Sequence, residues 1–221
     1  QARRKTSPAI TSDSLFASST RLPARAAAMA GRSPAAPTIA AITVSTSGCA
    51  DTSASALGVA VSFDIKAAPV LSWRWRVSGL IPDADNSVAS KEDSPARIML
   101  EFDGDKSKLS FSDRAASSFA KNLGGRDLPY ATLMYVWSNS APVGTVIPNP
   151  HAKRIQMIVV SSGAAGVGKW QDLKRNVRDD FKRAFNEEPG LLKSVGVMTD
   201  TDNTGTKVEA WYGDLAFSPA P

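Results

Sequence analysis

From Leu71 to Val77 the chain alternates without a break: Leu71, Trp73, Trp75 and Val77 are apolar, and Ser72, Arg74 and Arg76 between them are polar. Successive side chains of a strand point to opposite faces, so this spacing predicts a half-buried strand. Ile98, Leu100 and Phe102 repeat it, as do Leu133, Tyr135 and Trp137, then Ile155, Met157 and Val159. Further strands are predicted over 59–65, 108–111 and 192–198. A last one, over 207–217, has Trp211, Leu215 and Phe217 on one side and Val208, Tyr212 and Asp214 on the other. Short strands separated by Pro, Gly, Asp and Asn turns predict a mainly β protein built as an antiparallel sandwich.

Two helices are predicted between the strands. Ser112 or Asp113 is suited to cap a helix running to Leu123, with Phe119 and Leu123 spaced i, i+4 and Gly124–Gly125 as its stop. The second is predicted over Trp170–Asn186. Leu173, Val177, Phe181 and Phe185 form its apolar stripe, Lys174, Arg175, Arg178, Lys182 and Arg183 largely face away, and Pro189-Gly190 ends it.

Composition divides the chain. Residues 1–50 contain 13 Ala, 8 Ser, 6 Thr and 4 Pro with one aromatic, Phe16, too little apolar surface to offset the entropy of ordering. Residues 1–54 are therefore expected to be a disordered or loosely attached segment, and 55–221 the folded domain. Of the 26 basic and 21 acidic residues, six and two lie in residues 1–60. The folded part is thus nearly neutral, and the net charge of +5 does not describe the basic stripe of a nucleic-acid-binding domain. No apolar run approaches the roughly 18 residues of a membrane span. One cysteine, Cys49, and one histidine, His151, exclude an internal disulfide framework and multi-histidine or cysteine-based metal sites.

Arg74 and Arg76 share one face of a strand, about 7 Å apart. Two guanidinium forks at that spacing can hold carboxylate or sulfate groups; the alternative is pairing with Glu101, Glu209 or Asp214 on a solvated face. Asp200, Asp202 and Asn203 place three oxygen-bearing side chains in one tight turn. They can supply part of a calcium shell, or serve only to bond their own backbone. Trp73, Trp75, Tyr135, Trp137 and Trp211 occupy the apolar phase of their strands and are expected in the core. Tyr130, Trp170 and Tyr212 fall outside that phase and are the candidate sugar-stacking platforms. His151 lies in a Pro-Asn-Pro-His loop with no nucleophile motif beside it. Gly168-Lys169 is followed by Trp170, so the preceding glycine-bearing run is not a phosphate loop. Carboxylate pairs drawn from Asp85, Glu101, Asp103, Asp202, Glu209 and Asp214 remain the open catalytic route.

The segments Leu71–Val77, Leu128–Trp137 and Asp200–Thr204 with the later Tyr212-Gly213-Asp214 resemble a bacterial uncharacterised family, domain of unknown function 3047. Arg178-Asp179-Asp180-Phe181 before Phe185 and Pro189 is similar to that family's second helix. The resemblance covers about residues 55–218. It implies a jelly-roll-like sandwich similar to carbohydrate-binding modules in a protein that is often exported, hence a periplasmic or secreted setting, with no established activity. The closing Ala210–Phe217 segment also looks like the final strand of sugar-binding sandwiches. The resulting expectation is non-catalytic binding of a carbohydrate or other polar cell-envelope ligand through Arg74, Arg76, Tyr130, Trp170, Tyr212 and Asp214. A carboxylate-dependent polysaccharide hydrolase or lyase, or a structural or protein-interaction module, are the alternatives.

Overall fold

A computed structural model describes residues 38–39, 54–111, 113 and 128–221. The expectation for residues 1–54 lies outside these, apart from Thr38, Ile39 and Ala54, and the expected 112–123 helix lies outside them apart from Asp113. The strands are β1 (Thr38–Ile39), β2 (Ala54–Phe63), β3 (Val70–Val77), β4 (Ser94–Phe102), β5 (Ala131–Ser138), β6 (Val146–Pro148), β7 (Ile155–Ser162), β8 (Gln171–Asn176), β9 (Leu192–Asp200) and β10 (Ala210–Ser218). One helix, α1 (Val177–Phe185), lies between β8 and β9. No helix among the described residues is long and apolar enough to cross a membrane.

The chain is mainly β, in two sheets. One has the order β1-β10-β3-β8, the other β2-β9-β4-β5-β7-β6. Their apolar rows meet in a shared core: Trp73 of β3 stacks on Tyr135 of β5 at 5.1 Å between ring centroids, and Trp75 lies 6.2 Å from Trp137. Ile98, Leu100, Phe102, Leu133, Val195 and Val197 belong to the same cluster. The strict alternation in β3 is therefore a division between core and outer face.

Four expectations are corrected. The sheets are dominated by antiparallel pairs but not wholly so, because β5 and β7 run parallel. Residues 106–108 form a 3-10 turn where a strand over 108–111 is expected. Residues 171–176 are strand β8 rather than the first turns of a helix. Leu173 fits both the helical stripe and the inward phase of a strand, and pairing along the edge of β3 decides between them. The helix starts instead at Val177, where the side chain of Asn176 accepts a hydrogen bond from Asp179 N, Asp179 and Asp180 sit in the first turn, and Lys182 and Arg183 in the last.

The fourth correction concerns β10. Its register against β3 shifts between Gly213 and Ala216, and Asp214 there has a φ of 46°. An extra residue at a bulge reverses the phase of side chains beyond it. Ala210 and Tyr212 point inward before the bulge, Leu215 and Phe217 inward after it, and Trp211 falls on the outer face.

Candidate functional site

The outer face of the four-stranded sheet carries the polar half of β3. Register places Trp211 opposite Arg76, Gly213 opposite Arg74 on one side, and Asp172 opposite Arg74 on the other. The guanidinium of Arg76 lies 4.0 Å from the Trp211 ring centroid and 5.7 Å from that of Trp170. Arg74 lies 4.7 Å from Trp170. The result is a continuous row, Arg74–Trp170–Arg76–Trp211, with Trp170 41% exposed. A β-carbon on Gly213 would sit 3.0 Å from Arg74 Cγ, so the missing side chain lets Arg74 lie across β10. Arg74 Nε is 3.6 Å from Asp172 Oδ1, whose side chain is 81% exposed. Arg76 has no ion pair among the described residues, and the Nε atoms of both arginines are buried without a hydrogen-bond partner. Beside the row is an open depression of about 410 Å³ lined by Ser72, Arg74, Asp172, Lys174 and Asp214, among others.

Arg74, Arg76, Trp170 and Asp214 thus share one surface. Tyr130 and Tyr212 do not join it. Tyr130 is buried, packs over Gly104, donates its hydroxyl proton to Glu187 at 2.7 Å and lies under Arg154. Tyr212 is 2% exposed and faces the core. Its hydroxyl donates to Met198 O at 2.6 Å and accepts from Arg97 N at 3.2 Å, and burial pushes its pKa up to about 12. Neither can act as a sugar platform in this arrangement. Trp211, assigned above to the core, takes a place in the row. Its signal was Gly213-Asp214, a pair suited to a bulge that reverses the strand's phase.

The Asp200 turn joins a buried cluster. Carboxylate oxygens of Asp93, Asp200 and Asp202 lie within 4.8 Å of one another. Asp93 is the residue that sequence spacing missed, being 107 positions before Asp200. Its two oxygens accept from Asn203 N and Nδ2 (3.2 Å each) and from Thr204 N and Oγ1 (2.8 and 2.6 Å). Arg97, 2% exposed, reaches Glu92 Oε1 at 2.6 Å and Asp200 Oδ2 at 3.1 Å. Asn203 turns its amide nitrogen toward Asp93 and Asp202, so its oxygen is directed away from those carboxylates. The carboxylates are held by donors and a guanidinium of the protein itself, which makes the cluster a clamp between the start of β4 and the end of β9.

Burial pushes the Asp200 carboxyl up to about 7 against the pull of Arg97, with Asp202, Asp93 and Glu92 adding to the rise. The ordinary value is 3.8, so between these limits the folded protein holds a proton that the unfolded chain has lost. This contribution to stability is fully present below about pH 4 and is lost as pH rises through about 7. The melting temperature should therefore fall more steeply from about pH 5 to 8 in the native protein than in Asp200→Asn. Equal slopes in a thermal-denaturation series would show that Asp200 does not hold this proton.

The cations expected on the second helix are largely paired: Arg175 and Arg183 with Asp180, and Arg178 and Lys182 with Glu188. His151 places Nε2 3.1 Å from Ala89 O in a loop contact.

Fold and site together define a two-sheet, mainly β protein whose four-stranded sheet carries a row of alternating arginines and indoles on its outer face. A family model described as "Protein of unknown function (DUF3047)" matches residues 42–216, and the chain belongs to that family. No curated protein matches it.

Proposed function

We propose that the protein is a non-catalytic binding module that takes a carbohydrate or other polar cell-envelope ligand on the outer face of the four-stranded sheet. The observation that carries this reading is the Arg74–Trp170–Arg76–Trp211 row, which sets charged donors of β3 beside stacking surface from β10 and from the residue just before β8. An exposed indole offers a flat apolar surface with a polar edge, suited to the face of a sugar ring. The strand order adds support. With β6 and β7 set aside, the first strand pairs with the last, β2 with β9, β3 with β8 and β4 with β5. That nested pairing supports reading the fold as a jelly roll, an architecture that lectin domains share. The cell-envelope setting rests on the family resemblance alone.

The test is binding to a glycan panel at up to millimolar concentration, with Trp170→Ala and Arg76→Ala alongside. Both variants should retain the native melting profile and lose about tenfold or more in affinity for whichever glycan binds. A panel without a binder, or variants that bind as the native protein does, would remove this reading. Release of shortened products from a panel glycan would instead favour a carboxylate-dependent hydrolase or lyase.

A further inference from the structure

We infer that the ligand is acidic: a glycan bearing uronate carboxylates, received by the in-plane edges of Arg76 and Arg74 while a sugar ring lies against Trp170. This rests on the binding reading above and specifies its chemistry. Arg76 is a half-buried cation with no acidic partner among the described residues, held between two indole faces. Stacking occupies the faces of the guanidinium and Nε is buried, which leaves the terminal Nη edge for a ligand. That edge matches a planar carboxylate in a bidentate pair. Arg74, two residues along the same strand, has as its acidic contact the exposed Asp172 at 3.6 Å, which a ligand carboxylate can displace.

Charge around the row favours a uronate glycan over a nucleic-acid strand. Arg74, Arg76 and Lys174 are accompanied by Asp172 and Asp214 around the adjoining depression. A phosphate polymer would meet two carboxylates there, and the basic stripe that such a polymer requires is missing from this face. A glycan uses both signs: carboxylates face the arginines, and hydroxyl groups donate to Asp172 and Asp214.

The experiment compares, by isothermal titration, a galacturonate oligomer, its methyl ester, a guluronate oligomer and an oligothymidylate of similar length. At least one uronate should bind, and galacturonate, if it is the binder, about tenfold or more tighter than its ester, since a charge-assisted bond is replaced by a neutral one. Arg76→Gln, which keeps the aliphatic stem and a neutral amide donor but removes the charge and the guanidinium fork, should bring the native affinity for the uronate down to the level of the neutral ester. Its melting temperature should stay unchanged. Equal affinity for acid and ester, or binding of neutral panel glycans with neither uronate, would overturn the acidic ligand and leave the binding module standing. Absence of binding to every glycan would overturn both, and preference for the oligothymidylate would overturn the glycan.

Discussion

Arg97→Met should lower stability by about 3–5 kcal/mol, measured as the free energy of unfolding in urea. Arg97 lies on β4 between Val136 of β5 and Met198 of β9, and its side chain is 2% exposed. Its guanidinium bonds the Glu92 side chain and main-chain carbonyl and faces Asp200. Methionine supplies a comparable apolar stem but no charge, and so leaves Glu92 and Asp200 buried without their cation. Removing one partner of such a group costs more than the group contributes as a whole, because the remaining charges stay desolvated. Asp200→Asn added to Arg97→Met should therefore recover part of the loss. The variant should also weaken further as pH rises, since ionisation of the buried Asp200 carboxyl then goes uncompensated. A loss below about 1 kcal/mol would mean that water or a local shift replaces the guanidinium.

Trp75→Ala should cost about 3–5 kcal/mol for a different reason, the cavity it leaves between the sheets. Trp75 is fully buried. Its ring centroid is 5.7 Å from Trp73, 6.2 Å from Trp137 and 6.5 Å from Tyr212, so four large rings rest on one another. The indole N–H donates to Ser161 Oγ at 3.1 Å, and Ser161 in turn donates to Gln171 Oε1 at 2.6 Å. Truncation removes the ring contacts and leaves Ser161 Oγ without its donor. Trp75→Phe keeps much of the ring surface and should cost less, with the lost hydrogen bond contributing about 1 kcal/mol. Urea midpoints of the two variants, read with near-ultraviolet circular dichroism, separate cavity from hydrogen bond. If Trp75→Ala unfolded at the native midpoint, the core contacts described here would be wrong.

The legible parts of this fold were those where neighbouring residues differ in character. In β3 the indoles and arginines alternate, so both the strand and its two faces could be read directly. Residues 170–176 were not legible in that way, because Leu173 and Val177 satisfy a helical spacing while Leu173 also suits a strand's inward phase. What decided was the edge of β3, which the sequence around Leu173 does not contain. Tyr212 and Trp211 exchanged places for a related reason: a single bulge at Asp214 reverses the phase, so counting back from Leu215 and Phe217 assigns both residues to the wrong face. Arg74, Arg76, Trp170 and Asp214 were visible as candidates, whereas Trp211 became one only through its register against Arg76. Asp93, holding the Asp200 turn from far along the chain, had no local signature at all.

By itself the sequence determined the two-faced strands, the inward aromatic rows of β3 and β5, and the resulting layered β architecture. These are consequences of backbone geometry over a few consecutive residues, where the period of two is set by the strand itself. The tertiary structure alone decided that Trp170 and Trp211 flank Arg76, and that Asp93, Arg97 and Asp200 share one buried clamp. Such meetings depend on which edges pair and in which register. That choice is made by the burial of the whole core and not by any local run of residues.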